Sequence, residues 1–208
     1  MDILEQLGIV PVDFGLLRSL FPDYSSPHNK IAHLEHEGKI IRLKRGLYVI
    51  SSGVSKQLLS KELIANHLYG PSYVSMESAL CYYGLIPEQV YTVRSMTANR
   101  AKRYDTRLGR FEYVTVGKAY YPIGLSQHIA NEKYPFLIAT PEKALCDLLV
   151  ATPCLKLQSL KALETYLEED IRFDTSALEK MDPTVVEQCL ITGKKLANLK
   201  WLLKRLTR

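Results

Sequence analysis

The chain has 208 residues, 47% of them apolar and 24% charged, with a formal net charge of +5. That balance belongs to a folded globular protein, and it excludes both a disordered tail and a membrane protein. No apolar run approaches the roughly 20 residues a membrane-crossing helix needs. The opening MDILEQLG carries acids where a secretory signal carries lysines, so a cytoplasmic protein is expected. The length suits two small domains, each with a core of its own. Cys81, Cys146, Cys154 and Cys189 are too widely spaced for a CxxC motif and read as reduced core residues.

In chain order, VDFGLLRSLF (12–21) places Phe14, Leu17, Leu20 and Phe21 at helical spacing, and Pro22-Asp23 ends that helix. Ser26 is placed to cap a second helix with Pro27 at its first position and Gly38 at its stop. At about 100° per residue, Pro27, Ile31 and Leu34 share one face of it. Asn29, Ala32, His33 and His36 point the other way, with Lys30 on the flank. KIIRLKRGLYVI (39–50) then reads as two strands around a turn at Arg45-Gly46.

Helix, turn, helix and hairpin is the order of a winged helix-turn-helix, whose second helix enters the major groove while the hairpin meets the flanking backbone. On that reading Lys44 and Arg45 at the hairpin tip, with Arg42 beside them, contact phosphates. Asn29, Lys30 and His33 carry donors able to reach base edges, and Ser25 or Ser26 donates to a phosphate. The alternative is a winged domain used for protein contact, with its cations solvated. Although His33 and His36 are three residues apart, no carboxylate or cysteine cluster completes a metal-ligand set, so neither a metal nor a cofactor is expected.

SSGVS is a short polar connector, and KQLLSKELIANHL reads as a helix with Leu58, Leu59, Leu63, Ile64 and Leu68 on its apolar side. The expected architecture is therefore α+β: a winged helix-turn-helix over residues 1–53, then a mixed α/β domain over 54–208 that ends in helices. In that second domain Ser75 and Glu77 start the helix of SMESALCYYG. RFEYVTVG, YYPIGL and YPFLIAT read as a β-rich stretch running on from YYGLIPEQVYTV. Thr140, Pro141 and Glu142 open a helix that Ala144, Leu145, Leu148 and Leu149 bury.

Charge is segregated along the chain. Residues 94–118 hold seven cations against two acids, residues 164–182 seven acids against two cations, and residues 194–208 six cations and no acid. Arg100, Lys102 and Arg103 in the first run make a possible second basic surface. The acidic run either shields a basic one or docks a partner directly together with the basic tail, whose KLANLKWLLKRL is an amphipathic helix with Trp201 on the core side. Glu112, Glu142 and Asp147 are the candidate acids for an enzyme. However, no GxxxxGK[ST], GxGxxG, GxSxG or HExxH is present, and no catalytic residue is assigned.

Three segments carry a family resemblance: the N-terminal unit ending in KRGLYVI, then YVSMESALCYYGLI, then ATPEKALCDLLV. In this order they resemble the AbiEi-type antitoxins of bacterial abortive-infection, type IV toxin-antitoxin systems. The resemblance implies an N-terminal domain that represses its own operon by binding inverted repeats in double-stranded DNA. It further implies a C-terminal domain that counteracts a nucleotidyltransferase toxin without a stable complex. The wing role falls on Lys44 and Arg45, and the recognition-helix role on Ser26, Asn29, Lys30 and His33. Glu77, Glu142 and Asp147 are then helix-start or partner-pairing acids.

Overall fold

In a computed structural model, which describes residues 3–87 and 91–208, a 3-10 turn at Glu5–Leu7 leads into strand β1 (Val12–Asp13). The Asp13 carboxylate accepts from the Leu16 backbone N–H at 2.7 Å and caps helix α1 (Phe14–Ser19), which is shorter at both ends than the 12–21 stretch read as helical. Helix α2 (Pro27–His36) begins at Pro27, and Ser26 occupies the cap position without a side-chain cap bond. Ile31 and Leu34 turn inward from it, and Asn29, Ala32, His33 and His36 outward. Strands β2 (Ile40–Lys44) and β3 (Leu47–Ile50) flank Gly46, whose φ of 77° suits a residue without a Cβ.

These strands form a three-stranded antiparallel sheet in the order β1-β3-β2. Leu4, Val12, Leu17, Ile31, Leu34, Ile40, Tyr48 and Ile50 pack into a small core of their own. Leu43 and Val49, from the same hairpin, join the larger core that follows.

After α3 (Ser52–Ser55) and α4 (Lys61–Leu68), the chain builds a six-stranded mixed sheet in the order β6-β7-β5-β4-β9-β8. Its strands are β4 (Ser72–Val74), β5 (Thr92–Thr97), β6 (Lys102–Thr106), β7 (Gly109–Thr115), β8 (Leu125–Ala130) and β9 (Tyr134–Ala139). The β5–β7 and β4–β9 pairs are parallel, and the other neighbours antiparallel. Helix α5 (Met76–Tyr82) follows β4, and α6 (Pro141–Ala151) follows β9. The chain closes with α7 (Leu160–Thr165), α8 (Pro183–Thr192) and α9 (Leu196–Leu206). Among the described residues no helix is long and apolar enough to cross a membrane.

Several expectations change. The helix read from Lys56 begins at Lys61, because the Ser60 hydroxyl accepts from the Leu63 N–H at 3.1 Å; Leu58, left outside it, is 82% exposed. The SSGVS connector is itself a helical turn. YYPIGL is a turn up to Gly124 rather than a strand, and Gly124 has a φ of 58°. Cys146 and Cys189 are buried and Cys81 half-buried, but Cys154 is exposed at a left-handed φ of 57° and is no core residue. The expected first domain includes residues 1–2, and the expected second domain residues 88–90; both lie outside the described residues.

Candidate nucleic-acid interface

On the outward face of α2, Asn29 and His33 are open to solvent. The His33 Nε2 lies 3.2 Å from Glu37 one turn on, and Lys39 approaches the same carboxylate at 3.1 Å. The hydrogen bond from Lys39, helped by His33, holds the Glu37 carboxyl below its ordinary range. Lys30 is half-buried, its ammonium over the rings of Phe21 and Tyr24 at 5.8 and 5.0 Å. Ser25 is exposed and Ser26 half-buried beside a groove lined by Arg18, Tyr24 and Pro27.

The three hairpin cations separate. Arg42 and Arg45 are exposed, and neither guanidinium makes an ion pair or hydrogen bond among the described residues. Lys44 turns inward: its ammonium donates to the Leu68 carbonyl at 2.6 Å and sits 5.7 Å from the centroid of the Tyr104 ring. A charge tied to the end of α4 and to β6 is a tether between the hairpin and the larger sheet. Lys44 is therefore already engaged within the fold, and of the three hairpin cations only Arg42 and Arg45 are without a partner among the described residues.

The second basic surface also divides, because successive side chains leave opposite faces of a strand. Lys102 lies over Tyr69 and Tyr104, at 5.5 and 5.2 Å, on the face that holds Lys44. Arg103 leaves the other face and approaches Asp105 at 3.5 Å, where Arg110 also binds at 2.8 Å. Arg100 is exposed beyond the end of β6, so the three residues do not form one patch. Nearby, Arg94 is taken by Glu77, both of whose carboxylate oxygens it meets at 2.8 and 2.7 Å.

The candidate acids do not converge; among the described residues no three His, Cys, Asp or Glu side chains gather as a metal-binding group. Glu142 accepts from the Asp182 N–H at 3.2 Å. Glu112 lies on β7 opposite Arg94 and Arg103. Asp147 is fully buried, 3.2 Å from the equally buried Lys143 one helical turn back, and accepts from the Ser75 hydroxyl at 2.6 Å. That bond draws Ser75 away from capping α5. Lys143 also donates to the Tyr120 carbonyl at 3.2 Å and sits 3.1 Å from the centroid of that residue's ring.

Burial raises the Asp147 carboxyl above its ordinary range, against the pull of Lys143 and Ser75. It pushes the Tyr73 and Tyr120 hydroxyls up as well. Sequence reasoning left Lys143 out of the core, although its (i, i+4) spacing to Asp147 was the signal that the two could pair. Both side chains are fully buried, so the pair offers no substrate a surface.

Residues 164–182 and the C-terminal tail meet within the chain, where Arg205 approaches Glu164 at 3.5 Å. Asn198, Leu199 and Leu202 of α9 are buried, and Trp201 packs against the large core. Compared with known proteins, the chain matches no family model and no curated protein.

Proposed function

We propose that this protein is a DNA-binding repressor of its own operon, with residues up to about 53 acting as a winged helix-turn-helix. The observation that carries the reading is the pairing of an outward α2 face, bearing Asn29 and His33, with two exposed and unpartnered arginines on the adjoining hairpin. The order β1, α1, α2, β2, β3 with the sheet closed as β1-β3-β2 fits that unit. Guanidinium groups left without partners at a turn suit phosphate oxygens, which take them in bidentate geometry. Asn29 and His33 then read base edges, and the arginines supply affinity without sequence preference.

The remainder of the chain, on this reading, counteracts a nucleotidyltransferase-like toxin and is not an enzyme. Its support is the resemblance carried by YVSMESALCYYGLI and ATPEKALCDLLV, with Glu77, Glu142 and Asp147 engaged in internal pairs and bonds rather than free for chemistry. The α2 face is only mildly basic, and Glu37 holds His33 on it. That observation favours, as a second reading, a winged unit that contacts protein.

Fluorescence anisotropy on DNA from upstream of the protein's own gene, against scrambled DNA and across a salt series, separates the two. Tight binding that prefers the upstream sequence and weakens steeply with salt is expected. Absent binding would leave the unit as a protein-contact module.

A further inference from the structure

Between the hairpin and the larger sheet runs an open groove of about 510 Å3. Arg42, Lys44 and Arg45 line it from the hairpin, Asp105 and Arg107 from the β6–β7 hairpin, and Glu35 from α2. Arg107 stands in a two-residue turn that Thr106 locks, its hydroxyl donating to the Gly109 carbonyl at 2.9 Å and accepting from the Leu108 N–H at 3.1 Å. Like Arg42 and Arg45, Arg107 is exposed and has no ion pair or hydrogen bond among the described residues.

Asp105 does not neutralise these arginines, because Arg110 and Arg103 already hold its carboxylate at 2.8 and 3.5 Å. The walls are also fixed relative to each other, since Lys44 is bonded across to Leu68 and Leu43 is buried in the larger core. Three unpaired guanidinium groups thus face one open channel that does not need to assemble. Among the described residues Leu43 is the one apolar residue that lines it, which leaves a peptide side chain little to bury against.

We propose that this groove takes the sugar-phosphate backbone of duplex DNA, with Arg107 gripping phosphates from the wall opposite Arg42 and Arg45. The inference rests on the DNA-binding reading above and extends the DNA surface beyond the N-terminal unit to a turn of the larger sheet. Because a backbone contact carries no base information, Arg107 adds affinity on every sequence and discriminates between none.

The test is anisotropy of the full chain on upstream and scrambled DNA across a salt series, with wild type, Arg107→Ala, the pair Arg42→Ala with Arg45→Ala, and Arg208→Ala. Arg208 lines no part of this groove and reports the effect of losing any one surface cation. Arg107→Ala is expected to weaken binding to both DNAs alike and to make the slope of log K against log salt about one unit shallower. It should leave the unfolding midpoint unchanged, as the side chain has no partner to lose. If Arg107→Ala binds like wild type at every salt while the arginine pair flattens the slope, the groove proposal falls and the DNA-binding reading stands. An equal loss in Arg208→Ala would also overturn it, by making the effect one of net charge. A wild-type chain that binds neither DNA overturns both.

Discussion

The α6 core and the hairpin groove hold the same kinds of charged group under opposite conditions. Lys143 and Asp147 have no exposure and are held by neighbours: a carbonyl and a ring for the ammonium, a hydroxyl for one oxygen of the carboxylate. Arg42, Arg45 and Arg107 are open and make no ion pair or hydrogen bond among the described residues. A buried carboxyl raised above its ordinary range is a common mark of a functional site, but the same shift arises wherever a fold encloses an ion pair. Here the buried carboxyl is out of reach of a ligand, whereas the exposed arginines have every donor free.

The largest expected effect comes from breaking the buried pair on one side. Lys143→Met keeps the volume and leaves the Asp147 carboxylate without its cation, which should cost about 3–5 kcal/mol in urea unfolding. Replacing both, Lys143→Met with Asp147→Leu, should recover much of that loss, since an apolar pair of similar volume is often no less stable than a buried ion pair. A single variant as stable as wild type would break the contrast, because the pair would then contribute nothing to the fold and would need another reason to be there.

Much of this architecture was legible from local chemistry. The hairpin of 39–50 could be read because alternation and Gly46 both act within a few residues, and the α6 start because Thr140 and Pro141 dictate it locally. The inward and outward faces of α2 followed from its period. What could not be read depends on partners distant in sequence. Ser75 looks like a cap until Asp147, 72 residues on, takes its hydroxyl. Lys44 looks like a hairpin-tip cation until Leu68 and Tyr104 are folded against it. The basic run at 94–118 looks continuous because strand alternation, with Glu77 and Asp105 as partners, is not visible in a charge count. The buried face of α6 was legible only in its apolar residues; Lys143 lies there because Asp147 and Tyr120 make its burial tolerable.

Lys44 stands between the two regions, an ammonium at the hairpin used as the core uses Lys143. Lys44→Met should lower stability by about 1–2 kcal/mol through loss of a charged hydrogen bond to the carbonyl of the buried Leu68. Its direct effect on the salt slope of DNA binding should be small. Arg42→Ala with Arg45→Ala should do the reverse, leaving the unfolding midpoint in place and flattening the slope by up to about two units. If Lys44→Met flattens the slope by about one unit and unfolds like wild type, the tether gives way in solution and Lys44 belongs with the arginines.

The smallest effect concerns pH, where the two environments should give opposite signs. Burial raises the Asp147 carboxyl, so the folded state holds that proton more tightly than the unfolded chain. Its contribution to stability is present at low pH and declines as pH rises from the ordinary carboxylate value through the raised one. Asp105 is lowered, first by the hydrogen bond from Arg110, and its contribution is present above the ordinary carboxylate value and lost as pH falls through the lowered one. The two windows adjoin at the ordinary aspartate value, near 3.8. Unfolding midpoints measured every half unit on either side of that value should show Asp105→Asn flattening only the acid side, by a small margin because the pair is exposed and screened. Added salt should shrink the difference further while leaving the decline on the other side, which comes from a carboxyl beyond the reach of counterions.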